Sequence, residues 1–290
     1  MANDDTDRAD AGLPPAYDEE QPHDKYPDSD ELQEPSILII SGHSIYAESA
    51  QSPELYKLNR GVTNLTYATS NVELTRVERS VRRSSDEPTI KLRERHIYDL
   101  TNSMQGYSVK MMPTMYHTPR LFVAPVSSRS SLGKRFGLRP VATLSQLRRR
   151  VGGGDRVEWQ AVSLTRPSDR DSKSTYGAAR YEDDPVVLFD IGRESKEGRH
   201  EWVDDKGRVV AYEEPETVDG DGGVVREPKM LVSARMRRVE LEALVALWCC
   251  RVWMRSAERK EGGSTSLTHK LNLGQSFRAN RMFSSFPGIG

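Results

Sequence analysis

Between Ala243 and Cys250 the chain reads ALVALWCC, two helical turns with no charge on any side. A surface helix keeps a polar face, so one that is apolar all round is enclosed by protein or by lipid. Charges return only around this stretch, at Arg238, Glu240 and Glu242 before it and at Arg251 and Arg255 after it. A bilayer span needs ~20 mostly apolar residues, whereas Leu241–Met254 holds 14, with Glu242 and Arg251 among them. The expected element is therefore a helix over 238–256 running through a protein core. Small side chains at Ala243, Ala246, Cys249 and Cys250 allow that core to close tightly around it.

What precedes the helix reads as strands. SILIIS (36–41) is followed by a Gly42-His43 turn and SIYA (44–47). Leu55–Leu58 and Val72–Arg79 alternate apolar with polar residues, the period of a half-buried strand. Ile90–Leu100, Tyr107–Met112, Arg120–Val126 and Val157–Leu164 continue the series, as do Val186–Ile191, His200–Val203, Val209–Glu213 and Lys229–Ser233. Turn signals at Asp86-Glu87-Pro88, Gly152-Gly153-Gly154, Asp204–Gly207 and Asp219–Gly223 separate them. The expectation is a mainly β domain of ten to twelve strands and one strong helix. Many antiparallel strands with short turns form a barrel or a sandwich, and a closed barrel has room for the helix.

This order resembles the tubby-like C-terminal fold of tubby proteins, phospholipid scramblases and LURP-one-related proteins. The resemblance covers about Ser36–Ala257 and rests on SILIISGHSIYAESAQSPELYKLNRG, the strand succession and the closing LEALVALWCCRVW. It implies a closed antiparallel barrel of about twelve strands around a central C-terminal hydrophobic helix, and lipid or phosphoinositide binding as the family activity. No phosphoinositide-contact motif of the family carries over residue by residue.

Composition divides the chain further. Residues 1–35 hold 12 acidic and 2 basic residues, whereas the remainder holds 31 acidic and 40 basic, so a net charge of −1 conceals an acidic segment joined to a basic body. Rich in Asp, Glu and Pro, residues 1–35 are expected to be disordered. Within them Pro14-Pro15-Ala16-Tyr17 has the PPxY pattern of a WW-domain ligand: paired prolines pre-set a polyproline II segment, and Pro14, Pro15 and Tyr17 supply the groove contacts. The partner so implied is a WW-domain protein, such as a HECT-type ubiquitin ligase. The tubby-like barrel is placed at 36–257 and a disordered C-terminal tail at 258–290.

Between Asp99 and Asp155 there is no carboxylate side chain, while nine residues are basic. Lys134, Arg135, Arg139, Arg148, Arg149 and Arg150 are the candidate surface for an anionic ligand, a membrane headgroup above all. A solvated loop neutralised by the acidic segment is the alternative. Nucleic acid is not expected, because Phe136 is the only aromatic residue between Arg129 and Arg150.

No catalytic constellation is legible. The six histidines are widely spaced, and there is no GxSxG elbow, Walker loop or GxGxxG. Cys249 and Cys250, the only cysteines, lie in the apolar helix where a thiol is inert, and their scarcity suits a reducing compartment. Asp219, Asp221 and Glu227 offer oxygens for calcium but fall short of the six to eight ligands the ion usually takes. The expected protein uses no cofactor or metal and is cytoplasmic, peripheral at a membrane. Three classes stay open: a non-enzymatic adaptor, scramblase-like lipid handling, and an enzyme of unrecognised type.

Overall fold

Alternation of apolar and polar residues places one face of each strand inward, and here those faces meet around a common axis. The computed structural model describes residues 31–48, 51–83, 88–103, 119–127, 132–141, 156–165, 179–193, 199–219 and 224–279, without the side chains of 82–83, 88–89, 156, 193, 224 and 262–279. In chain order the strands are β1 (Leu32–Gln33), β2 (Ser36–Ser41), β3 (Ser44–Ala47), β4 (Glu54–Leu58), β5 (Asn71–Arg83), β6 (Pro88–Asn102), β7 (Leu121–Pro125) and β8 (Arg135–Pro140). There follow β9 (Arg156–Leu164), β10 (Val187–Arg193), β11 (His200–Asp204), β12 (Val209–Glu214), β13 (Thr217–Val218), β14 (Val224–Arg226), β15 (Lys229–Val232) and β16 (Met236–Arg237). The central helix, Arg238–Ala279, comes after them.

Twelve strands form a closed antiparallel barrel in the order β10-β11-β12-β15-β2-β3-β4-β5-β6-β7-β8-β9. The seam is the pairing of β15 with β2, from Lys229 beside Ile39 to Val232 beside Ser36. An eight-stranded barrel is filled by its own side chains. Twelve strands leave a lumen wide enough for a helix, whose diameter with side chains is about 10–12 Å. Every residue from Leu241 to Met254 is buried, packed against inward residues such as Leu38, Ile45, Leu74, Leu100 and Trp202. The all-round apolar character of ALVALWCC is thus met by protein on every side.

Both ends of the enclosed helix are fastened. At its start, the Arg238 amide donates to the Glu31 carbonyl, the two side chains pair, and Glu240 reaches back to the Arg237 amide at 3.1 Å. At the other end a loop with a 3-10 turn (Val62–Asn64) offers carbonyls inward. Trp253 Nε1 donates to Thr66 O at 3.1 Å, and Ser256 Oγ donates to Thr63 O at 2.7 Å. Asn102 Nδ2 holds the same loop through Tyr67 O at 2.7 Å.

Three differences from the sequence reading emerge. Order begins before Ser36: β1 pairs with β16, and Glu34 pairs with Arg235, so residues 31–35 belong to the fold. The helix does not stop at Ser256, because the polar residues beyond it grip the rim: Arg259 pairs with Glu216, Lys260 donates to Asn64 O, and Arg120 pairs with Glu261 at 3.7 Å. Strands β5 and β6 are longer than their alternation suggested. Strand β4 pairs with β5 only from Leu74 to Arg76, and β7 with β6 only from Tyr98 to Asn102. The remaining pairs, Val77 with Glu94 out to Arg83 with Pro88, form a two-stranded arm beyond the barrel wall. Tyr107–Met112 and Gly152–Gly154 lie outside the described residues.

Candidate functional site

The polar groups nearest the helix were read as its bounding charges, and two of them are instead enclosed. Arg251, Arg255 and Arg259 recur every four residues and so line one helix face. Opposite them stands Glu213 on β12, fully buried, accepting from Arg251 Nε at 2.8 Å, Arg255 Nη1 at 2.5 Å and Trp202 Nε1 at 3.2 Å. At the other end, Glu242 pairs with Arg76 of β5, which also holds Glu78. Burial raises a carboxyl pKa and neighbouring cations lower it. For Glu213, Arg251 and Arg255 outweigh burial and bring the carboxyl down to about 2. For Glu242, burial prevails over Arg76 and the carboxyl is raised. Both clusters face the lumen, where they set the depth and rotation of the helix. Cys249 and Cys250 are fully buried, and burial pushes both thiols up, away from the reactive thiolate.

The surface divides into two ends. The outer parts of β5 and β6, the end of β7, the start of β8 and residues 31–36 lie at the end where the helix begins, while the 59–70 loop and the end of β8 lie where it leaves. At the first end a groove of about 800 Å³ opens between residues 31–36 and the outer part of β5, with Leu241 at its floor. Its walls combine apolar Leu38, Leu55 and Val77 with Arg79 and the ion-paired Arg76 and Arg238.

The structure separates the predicted anion-binding residues. Lys134 and Arg135 stand at the helix-start end, and neither makes an ion pair among the described residues. Arg139 lies one helical-start-to-exit step along β8, about 13 Å away at the usual strand rise. It is already engaged, donating to Gln160 Oε1 at 2.7 Å and lying 5.7 Å from the Tyr181 ring. Between Arg135 and Arg139, Pro119 crosses the outer face of β8 against Gly137; a Cβ there would meet Pro119 Cβ at 2.6 Å. Arg120 is likewise occupied, stacked on the Tyr67 ring. Arg148, Arg149 and Arg150 lie outside the described residues, as do Pro14, Pro15 and Tyr17.

Sequence reasoning missed the arm. Arg79, Lys91 and Arg93 are exposed there and make no ion pair among the described residues. No alternation signalled its outer part, because Glu78, Arg79 and Ser80 are three polar residues in a row between Val77 and Val81. Of the calcium candidates, Asp219 is exposed, Glu227 is half-buried and Asp221 lies outside the described residues. Among the described residues no three His, Cys, Asp or Glu side chains are grouped to hold a metal, and no helix is long and apolar enough to cross a membrane. Comparison of the chain with protein-family models, with curated proteins and with solved structures finds no match.

Proposed function

We propose that the chain is a tubby-like, non-enzymatic binding module that docks on anionic membrane lipid and recruits a WW-domain protein through Pro14, Pro15 and Tyr17. The observation that carries the membrane half is the placement of Lys134 and Arg135. They stand together, without ion pairs among the described residues, at one end of a barrel whose 55 residues from Leu100 to Gly154 hold no carboxylate side chain. The barrel-with-helix architecture supports the tubby-like reading. The enclosure and ion-pairing of the helix favour an adaptor over a scramblase-like protein whose helix enters lipid.

The test is co-sedimentation of the full chain with phosphatidylcholine vesicles, with and without phosphatidylserine. Each Lys or Arg near an anionic leaflet contributes about 1 kcal/mol. The double variant Lys134→Glu, Arg135→Glu is therefore expected to lose roughly thirtyfold or more in partitioning. Binding should weaken as salt rises, because the Debye length is about 8 Å at physiological ionic strength. A chain lacking residues 1–30, a cut that spares β1, should bind more tightly by losing its acidic segment. Equal binding to neutral and anionic vesicles would refute the membrane half. The recruitment half fails if a Gly12–Pro22 peptide and its Tyr17→Ala form bind a panel of WW domains alike.

A further inference from the structure

A closed barrel leaves no strand edge open, and the β5–β6 arm departs from that rule. Glu73 of β5 donates its amide to Asn59 Oδ1 at 2.9 Å, and its carbonyl accepts from the Asn59 amide at 3.2 Å, so its backbone groups point to the β4 side. Alternate residues of a strand point the same way. The one register shift between β5 and β6 skips Ile97 on β6 and leaves the alternation of β5 intact. The amides and carbonyls of Arg79 and Val81 therefore point to the β4 side as well. There β4 pairs only as far as Arg76, and no described strand takes up the edge beyond it. The groove of about 800 Å³ runs along this open edge: Val77, Glu78, Arg79 and Ser80 form one wall and residues 31–36 the other, with Leu241 at the floor.

Backbone chemistry decides what such an edge can meet. A row of free N–H and C=O groups is matched by another extended backbone, which offers donors and acceptors at the same spacing. Charge narrows the choice. Residues 76–83 hold Arg76, Arg79, Arg82 and Arg83 against Glu78 alone, and Glu78 is committed to Arg76. A second copy of β5 would bring these cations against their own kind, whereas an acidic strand complements them. The chain itself supplies one. Glu31 lies on the groove wall, and residues 18–30 immediately before it read DEEQPHDKYPDSD, with six acids. Proline has no amide to give, and the residue before it is biased to extended backbone. The run between the two prolines, His23–Tyr26, keeps four consecutive amides and ends in a large side chain suited to the apolar floor. Tyr26 is five residues from Glu31, a reach of up to about 17 Å. So short a tether raises the local concentration of the segment to roughly the millimolar range.

We propose that the open edge of β5 is the seat of the chain's own acidic segment: His23–Tyr26 adds as a strand beside Arg79 and Val81, with Tyr26 in the groove and the flanking acids against Arg79. The contact is independent of the membrane reading. It holds the WW-ligand motif, which ends at Tyr17, six residues before the added strand, so a WW domain bound there sits beside the helix-start end of the barrel.

The experiment is residue-resolved amide hydrogen exchange on the full chain, on a full-length variant with His23→Gly, Asp24→Ser, Lys25→Gly and Tyr26→Ser, and on Arg79→Glu. The amides of Arg79 and Val81 are expected to exchange roughly tenfold or more faster in the quadruple variant than in the wild type. A synthetic peptide of residues 18–30 should restore their protection saturably in that variant, and less so when Arg79→Glu is added or salt is raised. Ser80, whose amide points to β6, is the internal reference. A loss shared equally by Ser80 would report opening of the whole arm and overturn the added strand. Equal exchange at Arg79 and Val81 in wild type and quadruple variant overturns it too. If protection survives in the variant and grows with protein concentration, the edge pairs with a second copy instead. Vesicle binding is not read in any of these arms, so the membrane reading stands or falls separately.

Discussion

Replacing Glu213 with Ala is expected to destabilise the fold by about 3–5 kcal/mol, the usual cost of stranding buried cations by removing their partner. Arg251 is 4% exposed at its side chain and Arg255 21%, and Glu213 is the carboxylate both share. Exchanging Glu213, Arg251 and Arg255 together for apolar residues of similar size should recover much of the loss, because the desolvation cost then disappears with the charges. Urea midpoints of wild type, single and triple variants measure both effects. The effect also has a signature in pH. A carboxyl held at about 2 in the folded state, against 4.5 as its ordinary value, stabilises the fold above 4.5, and that contribution is lost as pH falls toward 2. Glu242 has the opposite sign, since its raised carboxyl favours the folded state as pH falls. The quantity to read is therefore the gap between wild type and Glu213→Ala, which should narrow through this acid window. A Glu213→Ala midpoint within about 0.5 kcal/mol of wild type at neutral pH would mean that the pair contributes nothing.

Trp253→Ala should cost a similar ~3–5 kcal/mol, as large-to-small changes at packed aromatic positions do. Trp253 is fully buried and joins the helix to the rim loop through Thr66 O. Trp253→Phe keeps most of the apolar contact and removes the indole donor, so it isolates a hydrogen bond worth about 1 kcal/mol plus the penalty of an unmet carbonyl. Chemical denaturation reads both variants. If the Ala and Phe forms unfold at the wild-type midpoint, the rim loop is not a structural clasp.

Much of the architecture was legible because burial writes itself into local pattern. ALVALWCC has no polar face, which demands enclosure, and the alternation in Val72–Arg79 or Val209–Glu213 is that of half-buried strands. The ion pairs were not legible, since Arg251 and Glu213 are partners only after the barrel closes. Their spacing was visible, with Arg251, Arg255 and Arg259 on one helix face, but nothing local says which strand carries the carboxylate. The surface was harder still. Nine basic residues in one stretch read as one patch, yet folding sends Arg120 to Tyr67, Arg139 to Gln160, and Lys134 and Arg135 to the other end. The arm escaped notice because Glu78, Arg79 and Ser80 interrupt the alternation before Val81, and because nothing local says that β4 and β7 stop short beside β5 and β6.

The seam between β15 and β2 has a consequence for how the chain is made. All twelve barrel strands precede the central helix, and the first of them waits for one of the last to complete the cylinder. Synthesis at about 5–20 residues per second then leaves an open sheet exposed for on the order of tens of seconds before the plug arrives. Leu38, Ile40 and Ile45 have no helix to rest on during that interval, and two bare sheet edges are available to any other nascent chain. Ribosome-arrested chains ending at Val232 are accordingly expected to be cut by protease within β2–β12, and chains in which Glu261 has cleared the exit tunnel to resist. Protection of the shorter chains would show that the sheet holds together unplugged. Otherwise the cell must shield this protein until translation has passed the helix.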